Sequence, residues 1–161
     1  MPNCLICQLA SEKGKTASLV YRNHQVLLWQ NMEVNLPGYF IIAPIRHITL
    51  YHELTEIEAQ QLCQVTKQVT AILHEKYGAE KIYQCCFGEL VPHLHFHLFP
   101  RYPWMKEIKE TQVNGCIDGL KLCSFIRENY LVGDDQEKRA DLKDYVSDFK
   151  KQMCEQRGEI S

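Results

Sequence analysis

His93, His95 and His97 occupy alternate positions in Val91-Pro92-His93-Leu94-His95-Phe96-His97-Leu98-Phe99-Pro100-Arg101, so three of the chain's seven histidines fall within five residues. Strict alternation with apolar residues is the pattern of a β-strand, whose side chains point to opposite faces in turn. One face then carries three imidazoles, while Leu94, Phe96 and Leu98 face the core. Neighbouring histidines on such a face lie roughly 6.5–7 Å apart at Cα and the outer two about 13 Å apart, so one metal ion cannot readily collect all three. Two chemistries fit. A His-x-His pair could share a catalytic metal completed by other segments, or a neutral imidazole could act as nucleophile or general base without one. The second requires a ring fixed through its other nitrogen, and the central His95 is best placed for it. No Asp or Glu ligand follows the triad closely. A second constellation is Cys4-Leu5-Ile6-Cys7, a Cys-x-x-Cys pair whose spacing suits tetrahedral zinc. Two thiolates do not make a site, and His47 and His93 are the candidates to complete it.

The elements that position these groups follow from periodicity and turn signals. Gln25–Gln30 reads as a strand, then a turn through Asn35, Pro37 and Gly38 leads into the apolar strand Tyr39–Ala43, closed by Pro44. Thr55–Tyr77 is a helix: Thr55 and Glu58 form a capping box, Ile57, Leu62, Val65, Val69, Ile72 and Leu73 form its stripe, and Gly78 stops it. Lys81–Phe87 is the next strand, with Cys85 and Cys86 as small buried hydrophobes. A tight turn at Gly88-Glu89 precedes the histidine strand, 93–99. Antiparallel strands with one long helix across a face make an α+β fold of two layers. Residues 1–104 form the domain that holds the motifs. Residues 105–161 are a C-terminal extension packed on the same domain, with an amphipathic helix over Ala140–Cys154 through Leu142, Tyr145, Val146, Phe149 and Met153. A further helix around Asp118–Tyr130 is weakened by Gly115 and Gly119.

His93-Leu94-His95-Phe96-His97-Leu98-Phe99 resembles the His-φ-His-φ-His-φ-φ motif (φ, apolar) of the histidine triad, or HIT, superfamily. Leu36-Pro37-Gly38-Tyr39-Phe40-Ile41-Ile42-Ala43-Pro44-Ile45-Arg46-His47 is similar to the upstream strand of these proteins, and His52-Glu53-Leu54-Thr55 to the entry of their long helix. The resemblance covers residues 4–104 and points to the small bacterial, diadenosine-polyphosphate-hydrolase-like members. It implies a HIT-like fold and cleavage at the α-phosphorus of adenosine-type nucleotide derivatives, either dinucleoside polyphosphates or nucleoside phosphoramidates. His95 would be the nucleophile of a covalent nucleotidyl-histidine intermediate, with its ring fixed by the backbone carbonyl of His93 and with His97 donating to the phosphoryl oxygens. It also implies a structural zinc on Cys4, Cys7, His47 and His93, no cofactor at the reacting centre, and a homodimer. Asn31 corresponds to the residue that contacts ribose hydroxyls in the superfamily, although an Asn at a strand end also forms turns. Trp29, Met32 and Ile42 could offer an apolar slot for the base, and each also suits a core. Arg101 could meet a phosphate bidentately or sit in a surface ion pair. One departure stands out. Many relatives carry a Gly-rich loop ending in Gly-Gln, Ser or Thr before the triad, whereas Phe87-Gly88-Glu89-Leu90-Val91-Pro92 has none of these and sets Glu89 where a polyphosphate would lie.

Composition fits a small enzyme. With 24% charged residues and a net charge of −2 the chain carries no basic excess for nucleic acid, while a small nucleotide needs only local donors. No apolar run reaches the length of a membrane span, and Met1-Pro2-Asn3-Cys4 does not open a signal peptide. Eight cysteines without such a signal are expected to stay reduced, in the cytoplasm. A nucleotide-binding or regulatory protein with negligible turnover is the alternative function.

Overall fold

The computed structural model describes residues 4–11 and 16–156; residues 1–3, 12–15 and 157–161 of the two expected segments lie outside them. Its elements are α1 (Leu5–Ala10), β1 (Leu19–Arg22), β2 (Val26–Gln30), β3 (Phe40–Pro44), α2 (Glu56–Tyr77), β4 (Lys81–Cys85), β5 (Phe96–Arg101), α3 (Gly119–Asn129) and α4 (Gln136–Gln156). These five strands form an antiparallel sheet in the order β1-β2-β3-β5-β4, and a separate short hairpin pairs Gln112–Val113 with Cys116–Ile117. The α+β fold with a long helix across the sheet is therefore present. On one face Val26, Leu28, Phe40, Ile42, Phe96 and Leu98 meet Val65, Val69 and Ile72 of α2 and Val146, Phe149 and Met153 of α4. The other face is covered too: α1 packs on Leu27, Trp29 and Ala43, and α3 packs on Tyr39 and Phe99.

Several boundaries move, each for a local reason. The ladder of β5 starts at Phe96 rather than His93, because the Leu94 N–H bonds to the Ile48 carbonyl instead of a strand partner. The strand expected over Lys81–Phe87 ends at Cys85, its last partner being His97; Cys85 is half-buried and Cys86 exposed, so neither is the core residue expected. Ile57 is 61% exposed and lies outside the stripe of α2. Its neighbour Glu58 takes the buried place, accepting from the Thr55 N–H and hydroxyl and from Arg46. The Arg46 guanidinium holds the Glu58 carboxyl down at about 2, against the opposing effect of burial. This bidentate pair ties the start of α2 to the segment that carries His47. The weak glycine-flanked helix is real: Asp118 caps α3 by accepting from Leu120 and Lys121 N–H groups. Gly119 stands where a Cβ would lie 3.0 Å from the Tyr83 ring, so the glycine marks close packing rather than a break.

The β2–β3 connection is clipped from inside. Buried Gln30 donates to the carbonyls of Asn31 and Leu36 and accepts from the Gly38 N–H, adding to the backbone bonds from Asn31 N–H to Tyr39 and from Tyr39 N–H to Leu36. Gly38 adopts φ +83°, and a Cβ there would approach Leu73 Cδ2 to 2.6 Å and Tyr102 Oη to 2.9 Å. Gly38→Ala should therefore destabilise the fold by about 2–4 kcal/mol, adding left-handed backbone strain to overpacking against α2. Urea unfolding measures this; a loss within about 0.5 kcal/mol, the usual range for a surface change, would contradict the tight approach.

Candidate active site

His93 is the pivot of the site, and three of its four polar atoms reach toward the site's groups. Nε2 lies 3.0 Å from the Pro44 carbonyl oxygen. A carbonyl only accepts, so Nε2 carries the hydrogen and Nδ1 presents its lone pair. Nδ1 faces Cys4 Sγ at 3.4 Å and Cys7 Sγ at 3.6 Å. The His93 carbonyl oxygen accepts from His95 Nδ1 at 2.7 Å. By the same logic His95 carries its hydrogen on Nδ1, and the neutral ring offers its lone pair at Nε2. His93 and His95 are 1% and 8% exposed, so the two rings are held by packing as well as by these bonds.

His97 sits on the ladder of β5, opposite Ile41 on one side and Cys85 on the other, and its ring centroid is 5.0 Å from that of His95. Its Nδ1 is 2.9 Å from the Tyr39 hydroxyl. Burial pushes the Tyr39 phenol up to about 12, so it stays protonated. Its O–H has no other partner among the described residues, so it donates to Nδ1 and leaves the His97 hydrogen on Nε2. Burial, with the neighbouring His95 and Arg127 charges, pushes the His97 imidazole down to about 4, so near pH 7 it is a neutral donor. Tyr39 stands in the quoted upstream stretch, yet its role is invisible there, because only strand register brings it under His97.

Cys4, Cys7, His47 and His93 bring one donor atom each within 4.8 Å of one another, and could hold a metal ion. Cys7 Sγ lies 3.2 Å from His47 Nδ1. In a tetrahedral site with Zn–S about 2.3 Å and Zn–N about 2.0–2.1 Å, the S···N separation is about 3.6 Å, close to the distances here. The Nε2–H to Pro44 bond fixes His93 with Nδ1 toward the thiols, the outer-shell arrangement that ligand histidines use. Burial and the adjacent Cys4 push the Cys7 thiol up, so a pair of thiolates there calls for a cation. The residues fit the group.

The expected nucleotide contacts scatter more. Trp29 lies on the His97 face, two strands away in the row Trp29–Ile41–His97–Cys85, and packs under α1. Ile42 lies fully buried on the opposite face with α2, and it is Ile41 that faces the triad, as a period of two requires. Asn31 caps the turn, its Oδ1 accepting from the Glu33 and Val34 N–H groups, and Met32 is half-buried in that turn. Glu89 is exposed on the loop before the triad. Arg101, at the far end of β5, pairs with Glu80 at 2.8 Å.

A row of alternate histidines leading into β5, with its central ring fixed by a backbone carbonyl, on a five-stranded antiparallel sheet crossed by one long helix, defines a histidine triad site. The chain belongs to the HIT family: residues 12–104 match the HIT domain. It is 28% identical over 93 residues to bis(5'-adenosyl)-triphosphatase of Saccharomyces cerevisiae, a match covering 54% of this chain and 45% of that protein. The chain thus spans about half the length of this curated relative. Among solved structures, a hypothetical histidine triad nucleotide-binding protein of Sulfolobus tokodaii superposes with TM-score 0.62 at 16% identity, covering 94% of each chain. A zinc-bound histidine triad family protein of Mycobacterium smegmatis gives TM-score 0.58 at 13% identity, covering 93% of this chain and 97% of that one. These likenesses establish the fold. Among the described residues no helix is long and apolar enough to cross a membrane.

The His97 ring supplies a pH test. An unfolded histidine takes its proton near 6.5, the folded His97 only near 4. Between those values the unfolded state binds more protons, so the contribution of His97 to stability is complete above about 6.5 and is lost as the pH falls toward 4. An NMR titration of the His97 ring, faced by His95, Tyr39, Cys85 and Arg127, should show a midpoint near pH 4. A midpoint at the ordinary value would contradict the buried neutral donor.

Proposed function

We propose that the protein hydrolyses adenosine-type nucleotide derivatives at the α-phosphorus, through a covalent nucleotidyl intermediate on His95. The observation that carries this reading is the 2.7 Å hydrogen bond from His95 Nδ1 to the His93 carbonyl, which leaves the Nε2 lone pair free for attack. Nε2 attacks phosphorus, a P–N bond forms and the bond to the leaving group breaks. His97 Nε2–H donates to a phosphoryl oxygen or to the departing atom. The latter role suits a loop, Phe87–Pro92, that offers no Gln, Ser or Thr as acid. Water then breaks the P–N bond, releasing a nucleoside monophosphate and restoring His95. The yeast relative, a bis(5'-adenosyl)-triphosphatase, supports an adenosine nucleotide as substrate.

The same proposal includes structural zinc held by Cys4, Cys7, His47 and His93. Bound there, zinc would cross-link the N-terminal segment to the sheet and contribute folding energy, without entering the reaction. Its consequence for chemistry is positional: fixing the His93 side chain also fixes the carbonyl that holds His95.

The test is AMP release from diadenosine triphosphate by protein assayed for metal. One zinc per chain and hydrolysis that survives brief treatment with EDTA in the assay are expected. His95→Asn, which keeps a polar side chain without the imidazole nucleophile, should lower kcat by about a thousandfold or more. Absence of turnover with nucleotide binding intact would instead support a binding protein. Activity abolished at once by EDTA and restored by added metal would point to metal-dependent hydrolysis.

A further inference from the structure

A cavity of about 530 Å³ opens beside His97, between the sheet and α3, and both Cys85 and Cys123 line it. Cys85 ends β4, directly across the ladder from His97. Cys123 lies on α3, whose wall of the cavity also presents Leu120 and Arg127. Nothing in the proposed reaction uses either thiol.

Register brings the two cysteines together. Tyr83 and Cys85 are two apart on β4, so they share one face of the sheet with their ladder partners, Phe99 and His97. Gly119 and Cys123 are four apart on α3, so they share one face of the helix. The Gly119 backbone lies against the Tyr83 ring, where a Cβ would sit only 3.0 Å from it. Two residues of strand advance about 6.7 Å and four of helix about 6 Å. The contact of Tyr83 with Gly119 is therefore repeated one step along, at Cys85 and Cys123, whose side chains share a hydrogen bond. Glycine at position 119 lets the helix come close enough for this second contact. Thiols that meet in this way, on a packed helix and a paired strand, are within reach of an S–S bond of about 2.05 Å.

The surroundings decide what chemistry the pair can have. Burial, and after it the neighbouring Cys85 sulfur, push the Cys123 thiol up to about 12, so near neutral pH it keeps its hydrogen. A metal ion needs deprotonated sulfur, and among the described residues the grouping able to hold one contains neither cysteine. Cys85 is half-buried and opens onto the cavity, which gives a small oxidant access to its sulfur. A reachable sulfur with a second, sheltered sulfur beside it is the arrangement in which a sulfenic acid is resolved to a disulfide. Arg127 acts on Cys123 in the sense opposite to burial, favouring its sulfur as the proton leaves.

We propose that Cys85 and Cys123 form a reversible dithiol–disulfide site, oxidised by a peroxide that enters through the cavity. The Cys85 sulfur attacks one oxygen of hydrogen peroxide and the O–O bond breaks, leaving a sulfenic acid on Cys85 and one water. The Cys123 sulfur then attacks the Cys85 sulfur. The S–S bond forms, the S–O bond breaks, and the hydroxyl leaves as a second water with the Cys123 proton. Two electrons have passed from the pair to the peroxide, and a dithiol reductant returns them. The bond ties α3 to β4 next to the strand of His97 and fixes that wall of the cavity. No nucleotide takes part, so this inference stands or falls apart from the hydrolase reading.

The test treats the full chain, supplied with zinc, with a small excess of hydrogen peroxide. Remaining thiols are then alkylated in denaturant, and the protein is cut with trypsin without reduction and mapped by mass spectrometry. The expected product joins residues 82–101 to residues 122–127, with the loss of two hydrogens, and dithiothreitol separates them again. Cys86→Ser should keep this link, whereas Cys85→Ser and Cys123→Ser should each abolish it. The wild-type map decides the question by itself if a variant fails to fold. The inference is overturned if Cys85 and Cys123 are both recovered alkylated while the exposed Cys63 and Cys116 are already oxidised. A link that runs through Cys86, or Cys85 carried on to a sulfinic acid with Cys123 still a thiol, overturns it as well.

Discussion

The bond from His95 Nδ1 to the His93 carbonyl is short, 2.7 Å, and it spans only two residues. A contact that local holds its geometry only if the backbone segment is itself immobile. His93 supplies that immobility: its Nε2 donates to Pro44, at the end of β3, while its Nδ1 faces the two thiols of the N-terminal Cys-x-x-Cys. Leu94 anchors the same stretch through Ile48 on one side and the α2 core on the other. Because these residues have left the strand ladder, their backbone groups are free to make the bonds that orient the rings. The departure from regular structure at His93–His95 is what makes the site.

Second in importance is the way burial sets protonation. Tyr39 is kept a phenol and His97 a neutral imidazole by the same apolar surroundings, and together they fix which nitrogen of His97 carries the hydrogen. In the proposed reaction, a neutral donor next to His95 would stabilise developing phosphoryl charge through a hydrogen bond rather than through a charge on the ring itself. The positive charge nearby, Arg127, comes instead from α3, on the far side of His97.

Much of this was legible in the sequence because it is local. Thr55 with Glu58, and Gly78 at φ +72°, mark both ends of α2 through interactions within a few residues. The alternation of histidines with Leu94, Phe96 and Leu98 reports which side chains face α2. What sequence could not supply is register and distance. Ile41 rather than Ile42 faces the triad because of how β3 pairs with β5, and Arg101 is removed from the site by the length of the strand and by Glu80. Tyr39 reaches His97 only across that pairing, and Glu58 is drawn into the core by an Arg46 contact that helical periodicity does not encode. The cavity wall of α3 was hidden for another reason. Gly119 reads as a helix breaker, and only the Tyr83 ring beside it explains the glycine.

The proposed hydrolase rests on a covalent bond from His95 Nε2 to phosphorus. Intact-protein mass spectrometry, without acid, on protein mixed with diadenosine triphosphate and quenched at early times tests it directly. A mass increase of one adenylyl group, mapped to His95 and absent in His95→Gly, is the expected result. AMP release with no adduct at any time, and turnover retained in His95→Gly, would contradict it.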